Sequence, residues 1–379
     1  MSTAKQPASC SPAGAGAGAG PSGVSAGAGA AAAGSASAGA GAGSVGAGNG
    51  AGERQKRLPR PLPKAVPSPH FIEDCPTWVM PGPGVQWSLR GHSQAGERTG
   101  FQVRELRLFL DAGMNTYQAM GPVLVTHSHA DHSFNVPCIC MGQGGLLGAR
   151  PDVYIPAAAS EPLQLMCRAA QALNDSAALS DKPEVNCCPV RPGDKFRLLP
   201  ATKKAKNSTE PTKGCCTMEV EVEVVSCVHR VPTVGYIVSS VKKKLKDEFV
   251  GLPGKELGRL RRSGLTITQE VVTPRFCFLG DTTVDVFKIS PQVLDVPIVI
   301  VECTLLFEAD EPRAAHSHHM CWSQLRPIVS AHPHTTFCLI HFSRKYKDAD
   351  VAAVFDSEEG GHPENVVLFL DSGVRTHNS

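Results

Sequence analysis

The sequence predicts a fold of the α/β (α+β) type whose strands carry chemically active side chains to a common edge. Three observations predict it. Seven apolar runs of strand length recur along the chain, at E-L-R-L-F-L-D, P-V-L-V-T-H, M-E-V-E-V-E-V-V, T-V-G-Y-I-V, F-C-F-L-G-D, P-I-V-I-V-E-C-T and T-F-C-L-I-H-F. Two helical stretches interrupt them, Glu161 to Leu173 and Trp322 to Ala331. Four of the runs stop on a histidine or carboxylate: His127, Asp281, Glu302 and His341. Strands with interspersed helices indicate a layered α/β or α+β domain, and rigid strand ends are a good place to hold ligands in fixed geometry.

The front of the chain is different. Residues 1–52 are almost entirely Gly, Ala and Ser, with Lys5 the one charge before Glu53. Such a segment has little to bury and is expected to be disordered. The basic, proline-rich stretch from Arg54 to Lys64 follows, compatible with a solvated linker, a nuclear signal or the end of an organellar transit peptide. Nucleus, cytoplasm and an organelle all stay open. Residues 1–69 are therefore read as an extension, and 70–379 as the globular domain.

Composition excludes some classes. With 37 Lys+Arg against 35 Asp+Glu the net charge is +2, so any basic surface must be local. No apolar run is long enough to span a membrane. The 14 Cys include the adjacent pairs Cys187-Cys188 and Cys215-Cys216 but no paired C-x-x-C, which argues against a zinc finger and for reduced thiols. In M-E-V-E-V-E-V the apolar and acidic residues alternate, as in a strand with one wet face.

The most informative stretch is V-T-H-S-H-A-D-H, Val125 to His132. His127 and His129, at i and i+2 on extended chain, can converge on one ion. Asp131 and His132, past a turn, can face a second. Imidazole nitrogen and carboxylate oxygen suit a borderline ion such as zinc. The bridging carboxylate and further histidines must come from the other strand ends.

H-S-H-A-D-H resembles the signature of the metallo-β-lactamase superfamily, and later segments resemble the motifs of ribonuclease Z, the tRNA 3′-processing endonuclease. These are H-R-V-P-T-V-G-Y (His229 to Tyr236), G-D-T-T (Gly280 to Thr283) and H-F-S-R-K-Y (His341 to Tyr346). The order is kept from about residue 85 to 346, and the region between G-Y and G-D-T is similar to the short eukaryotic form. The resemblance implies an αββα sandwich and two zinc ions. His127, His129 and His229 would hold one, and Asp131, His132 and His341 the other, with Asp281 bridging. Asp111 in L-F-L-D-A-G would orient the ligand loop. Asp131 would handle the attacking water's proton, and His319, oriented by Glu302, would protonate the leaving oxygen. His319 lies five residues before Gln324 and 22 before His341, spacings similar to the family's. His316, which opens an H-S-H, is the alternative.

Substrate and partners follow from the same resemblance: a precursor tRNA cut after its discriminator nucleotide, giving a tRNA 3′-hydroxyl and a trailer 5′-phosphate, by a homodimer. Within residues 241–270, the expected tRNA-binding arm, Lys242, Lys243, Lys244, Lys246, Lys255, Arg259, Arg261 and Arg262 give a net charge of +5 over residues 242–262. Another hydrolase of the superfamily, acting on small phosphodiesters or thioesters, is the competing reading. It would need neither the arm nor His319. Three positions depart from the family. Ser133-Phe134-Asn135 replaces glycines and makes the loop beside the metals bulkier. Lys345, with Arg344 before it, stands where the family has arginine, which weakens planar phosphate recognition or passes it to Arg344. The tract from Pro200 to Cys216 reads as an inserted polar loop.

Overall fold

Alternation in the sequence decides how the strands layer. In I-V-I-V-E, residues 298–302, every position is buried: Ile298 and Ile300 face one core, Val299 and Val301 another. A strand apolar on both faces must be covered on both. The computed structural model describes residues 70–379, apart from 83, 117–120, 148–150, 183, 201–217 and 379. The expectations for the N-terminal extension, the Arg54–Lys64 stretch, residues 201–216 of the polar tract and Cys215-Cys216 lie outside the described residues.

One sheet runs in the order β1 (Thr77–Met80), β2 (Trp87–Ala95), β3 (Arg98–Val103), β4 (Leu108–Leu110), β5 (Val123–Leu124), β6 (Asp152–Pro156) and β7 (Asn186–Val190), with β14 (Phe342–Ser343) on β2. The second has the order β16 (Gly373–Thr376), β15 (Val366–Leu370), β13 (Thr336–Ile340), β12 (Ile298–Glu302), β11 (Thr268–Leu279), β10 (Val234–Leu245), β9 (Val220–Ser226) and β8 (Lys195–Leu198). The sheets pack face to face on a shared core that includes Trp87, Phe101 and Leu124 from one and Tyr236, Phe278 and Phe369 from the other. Phe101 meets Phe369 edge-on at 5.1 Å and 89°, the geometry the ring quadrupoles favour.

Helices cover the outer faces. On the first sheet, Val123, Val125, Val153 and Ile155 pack with Val136 and Ile139 of α2 (Val136–Leu147) and Leu163 and Cys167 of α3 (Ser160–Asp175); α1 (Ala130–Ser133) precedes them. On the second, Cys277, Val299 and Leu339 pack with α5 (Val286–Ile289), α7 (Trp322–Ala331) and α8 (Asp348–Asp356) through Val286, Trp322, Leu325 and Phe355. α4 (Gly254–Arg262) and α6 (Glu311–Ser317) complete the set. The order helix, sheet, sheet, helix is an αββα sandwich.

All seven expected runs lie in or overlap strands, Glu161 to Leu173 falls inside α3, and α7 coincides with Trp322 to Ala331. The acidic positions Glu221 and Glu223 of β9 are half-exposed between buried valines. The described cysteines are free thiols. No helix among the described residues is long and apolar enough to cross a membrane.

The arm takes a form the sequence did not specify. β10 and β11 pair with each other from Gly235 to Leu245, but β9 accompanies β10 only to Ser240, and β12 meets β11 only at Cys277 and Phe278. Beyond Ser240 the two strands continue as a ribbon, bent by a register shift at Val238/Ser239 and tipped by α4.

Candidate metal centre

Each ligand candidate stands where a strand gives out. His127 and His129 follow β5, and Asp131 and His132 lie on α1. His229 precedes β10, Asp281 follows β11 and His341 follows β13. Gly280 makes one junction possible: a Cβ there would lie 2.5 Å from the Cβ and Oγ1 of Thr126, so no side chain lets G-D-T approach V-T-H this closely. Tyr236 of G-Y is buried and donates its hydroxyl to the Val125 carbonyl at 2.7 Å, tying β10 to the ligand loop.

Two groups of ligand atoms result. His127, His129, His229 and Asp281 place one ligand atom each within 4.8 Å of one another, and so do Asp131, His132 and His341. In the first group His129 Nδ1 is 3.1 Å from His127 Nε2 and 3.2 Å from His229 Nε2. In the second, Asp131 Oδ2 is 3.6 Å from His132 Nε2 and 3.5 Å from His341 Nε2. Asp281 joins them. Its Oδ2 faces His127 Nε2 at 3.6 Å and His229 Nε2 at 3.8 Å, while its Oδ1 lies 3.3 Å from both His132 Nε2 and His341 Nε2.

The far side of each ring fixes which nitrogen faces inward. His132 Nδ1 donates to Asp111 Oδ2 at 2.7 Å, and His229 Nδ1 donates to the His318 carbonyl at 2.8 Å. Two threonines, unnoticed as functional in the sequence, act as matched relays. Thr126 Oγ1 accepts from His127 Nδ1 at 3.0 Å and donates to Asp111; Thr304 Oγ1 accepts from His341 Nδ1 at 3.0 Å and donates to Glu302 Oε2 at 2.6 Å. Each buried carboxylate thus holds a metal-facing imidazole in the Nε2-inward tautomer. Their signal was V-T-H and E-C-T, a threonine beside a ligand and a threonine two after a carboxylate. Asp111 and His341 carry positive φ, 57° and 62°, in the left-handed region where backbone strain collects at functional sites.

Electrostatics suit a divalent cation. Burial pushes His127 far below its ordinary value, and His129 and His229 below theirs, so these imidazoles are neutral donors. Burial opposes the ionised forms of Asp131 and Asp281, but neighbouring histidines outweigh it and hold both below the usual carboxylate range. Burial also opposes a charged His132, yet Asp281 and Asp111 hold its pKa well above normal. The residues fit divalent-metal binding: neutral imidazoles and anionic carboxylates converge, with their other polar atoms anchored.

His319 sits at the rim of this cluster. Its Nδ1 donates to Glu302 Oε1 at 2.8 Å, and its ring stacks on His341 at 5.5 Å and 26°. Burial opposes its protonation, but Glu302 overrides that and raises its pKa to about 9. Glu302 is held in turn by the Thr282 N–H at 2.7 Å and the Met320 N–H at 3.2 Å. Asp281, His319 and His341 also fall within ligand range of one another. A proton-holding imidazole is a poor metal ligand. His316 lies on α6, exposed.

The departures are also visible. Phe134 is 58% exposed beside α1. Lys345 is engaged by Asp310 at 2.6 Å and lies 4.7 Å over the Tyr346 ring, while exposed Arg344 is 3.6 Å from Glu97. Of the eight arm cations, Lys242, Lys243 and Lys244 lie on the β10 ribbon, Lys246 follows it, and Lys255, Arg259, Arg261 and Arg262 lie on α4. Lys242 and Lys244 share a groove of about 570 Å³ with Arg275, whereas Arg259 is paired with Glu256 at 2.6 Å.

No family model matches the chain. It is 26% identical to tRNase Z TRZ1 of Arabidopsis thaliana over 265 residues, covering 69% of this chain and 86% of that protein. It is 24% identical to tRNase Z TRZ2, chloroplastic, of the same organism over 266 residues, covering 69% and 68%. Among solved structures, the metallo-beta-lactamase fold protein YhfI of Bacillus subtilis aligns with a TM-score of 0.45 and 13% identity over 79% of this chain and 97% of that one. By sequence the chain is similar to proteins named tRNase Z.

Proposed function

We propose that the protein is a zinc-dependent endoribonuclease that removes the 3′ trailer of precursor tRNA, leaving a tRNA 3′-hydroxyl and a trailer 5′-phosphate. The observation that carries the chemistry is the pair of Asp281 oxygens, each turned to a different group of histidines, with His319 held beside them by Glu302. The likeness to tRNases Z carries the substrate. In this reading His127, His129 and His229 hold one zinc ion, Asp131, His132 and His341 a second, and Asp281 bridges.

A bound pair of such ions supplies Lewis acidity at the phosphoryl oxygens and makes a water acidic enough to attack near neutral pH. The chain's own residues do the rest. Asp131, steadied by the Gly96 N–H at 3.0 Å, orients the water and accepts its proton. His319, protonated through Glu302, gives its proton to the departing 3′-oxygen. The matched threonine relays keep the inward nitrogens from turning away.

The basic arm supports a large substrate. Its strands run away from the metal edge for twelve residues, roughly 40 Å of extended chain, so one ligand touching both has the dimensions of a folded RNA. In a homodimer the arm of one chain could serve the site of the other. Replacing Lys242, Lys243, Lys244 and Lys246 by serine is expected to raise KM for a 3′-extended tRNA at least tenfold. The salt slope of binding should fall by about 0.9 for each phosphate that the variant no longer neutralises. Hydrolysis of a small aryl phosphodiester is expected to persist. Equal losses on both substrates would mean that the arm supports the fold and does not grip RNA, and would favour the small-substrate hydrolase.

A further inference from the structure

A cleft of about 740 Å³ adjoins the metal centre. Pro156 and Arg191 form one wall, and the loop His229 to Pro232 forms another. His318 also lines it. Because His229 belongs both to this wall and to the ligand cluster, the cleft opens onto the metal edge.

Two features of the cleft serve no purpose the fold explains. Arg191 and Arg230 are exposed, and neither guanidinium has an acidic partner among the described residues. Several other arginines are paired, Arg197 with Glu219, Glu221 and Glu270, and Arg375 with Asp356. His318 is the second feature. Its backbone sits at φ 57° and ψ 45°, a left-handed conformation that glycine adopts freely. Its carbonyl anchors His229, a task any residue performs. The chain nonetheless places an imidazole there, whose Nδ1 is enclosed without a hydrogen-bond partner among the described residues.

A planar ring and two unpaired guanidinium groups beside a phosphodiester-cutting centre match single-stranded RNA: bases stack on histidine or arginine, and arginines take phosphates. The neighbouring His319, in its proposed role, points to the side. Its ring lies 5.1 Å from that of His229, and in the reading above it protonates the leaving oxygen. The nucleotide that carries that oxygen therefore lies on the side where the cleft begins. We infer that the cleft seats the unpaired 3′-terminal nucleotide of the tRNA product, its base against His318 and its backbone against Arg191 and Arg230. This rests on the RNA-cutting reading above and adds a specificity-determining residue to it.

The test is a double-mutant cycle on full-length protein with a 3′-extended tRNA. One axis is His318→Gly, which suits the left-handed backbone and keeps the carbonyl. The other is an abasic residue at the nucleotide before the cut. With wild type, loss of that base is expected to raise KM about tenfold with kcat changed less than threefold; with His318→Gly it should cost less than twofold more. Equal tenfold losses in both proteins overturn the stacking, and coupling to an abasic residue just after the cut overturns the side. Independently, Arg191→Ser with Arg230→Ser should lower the salt slope of binding by about 1.4, the equivalent of two single-strand phosphates; an unchanged slope overturns their role. If wild type leaves the RNA uncut, the nuclease reading fails and this inference falls with it, whereas an uncoupled cycle on an RNA that is cut overturns the cleft alone.

Discussion

Asp281→Asn is expected to lower cleavage of precursor tRNA by roughly 10³-fold or more and to leave less than half of the bound metal. Asparagine keeps the volume, so the buried site need not collapse. It has one carbonyl oxygen and one amide that only donates, so it cannot offer an acceptor to both histidine groups at once. In the protein Asp281 Oδ2 faces His127 and His229 while Oδ1 faces His132 and His341. The substitution therefore separates the groups as well as removing a charge. Elemental analysis of the dialysed protein, alongside kcat, checks this. A full metal complement with unchanged turnover would remove Asp281 from the bridge.

Glu302→Gln should cost about 10²-fold in kcat near pH 8. Glu302 accepts from His319 Nδ1, the Thr282 and Met320 amides and the Thr304 hydroxyl. A glutamine turns one of those acceptors into a donor and removes the charge that raises His319 to about 9. The alkaline limb of the kcat/KM profile should then move at least one pH unit lower, because the acid loses its proton sooner. Stability of the metal-free protein gives a second readout. A histidine raised from 6.5 contributes most below 6.5, and the contribution is lost as pH rises through about 9. Wild type should therefore lose Tm over that interval, and Glu302→Gln should lose less. Matching pH profiles for the two proteins would exclude Glu302 as the source of His319's basicity.

How far the sequence reveals this site depends on how local each signal is. His127, His129, Asp131 and His132 lie in one short motif, and the strands that carry Asp281, Glu302 and His341 are apolar runs bounded by polar residues. Periodicity reports such features directly. The relays of Thr126 and Thr304 depend on where a side chain points after two sheets have packed, which no local pattern reports. β2, W-S-L-R-G-H-S-Q-A, escaped notice because serine, glycine and histidine interrupt its apolar pattern, although most of it is buried. The arm was legible as charge but not as shape. Its lysines lie on a ribbon whose pairing partner, T-Q-E-V-V-T-P-R, is as polar as a loop. His318 was one histidine among three until its left-handed backbone and the cleft set it apart.

The most direct test is to map the ends produced from a 3′-extended precursor tRNA by the purified protein, with and without prior chelation. The account predicts one cut at the base of the trailer, a tRNA ending in a 3′-hydroxyl, a trailer beginning with a 5′-phosphate, and loss of cutting after chelation that zinc restores. An intact tRNA under conditions where the same preparation hydrolyses a small phosphodiester would contradict it, leaving the metal centre in place and the substrate assignment wrong.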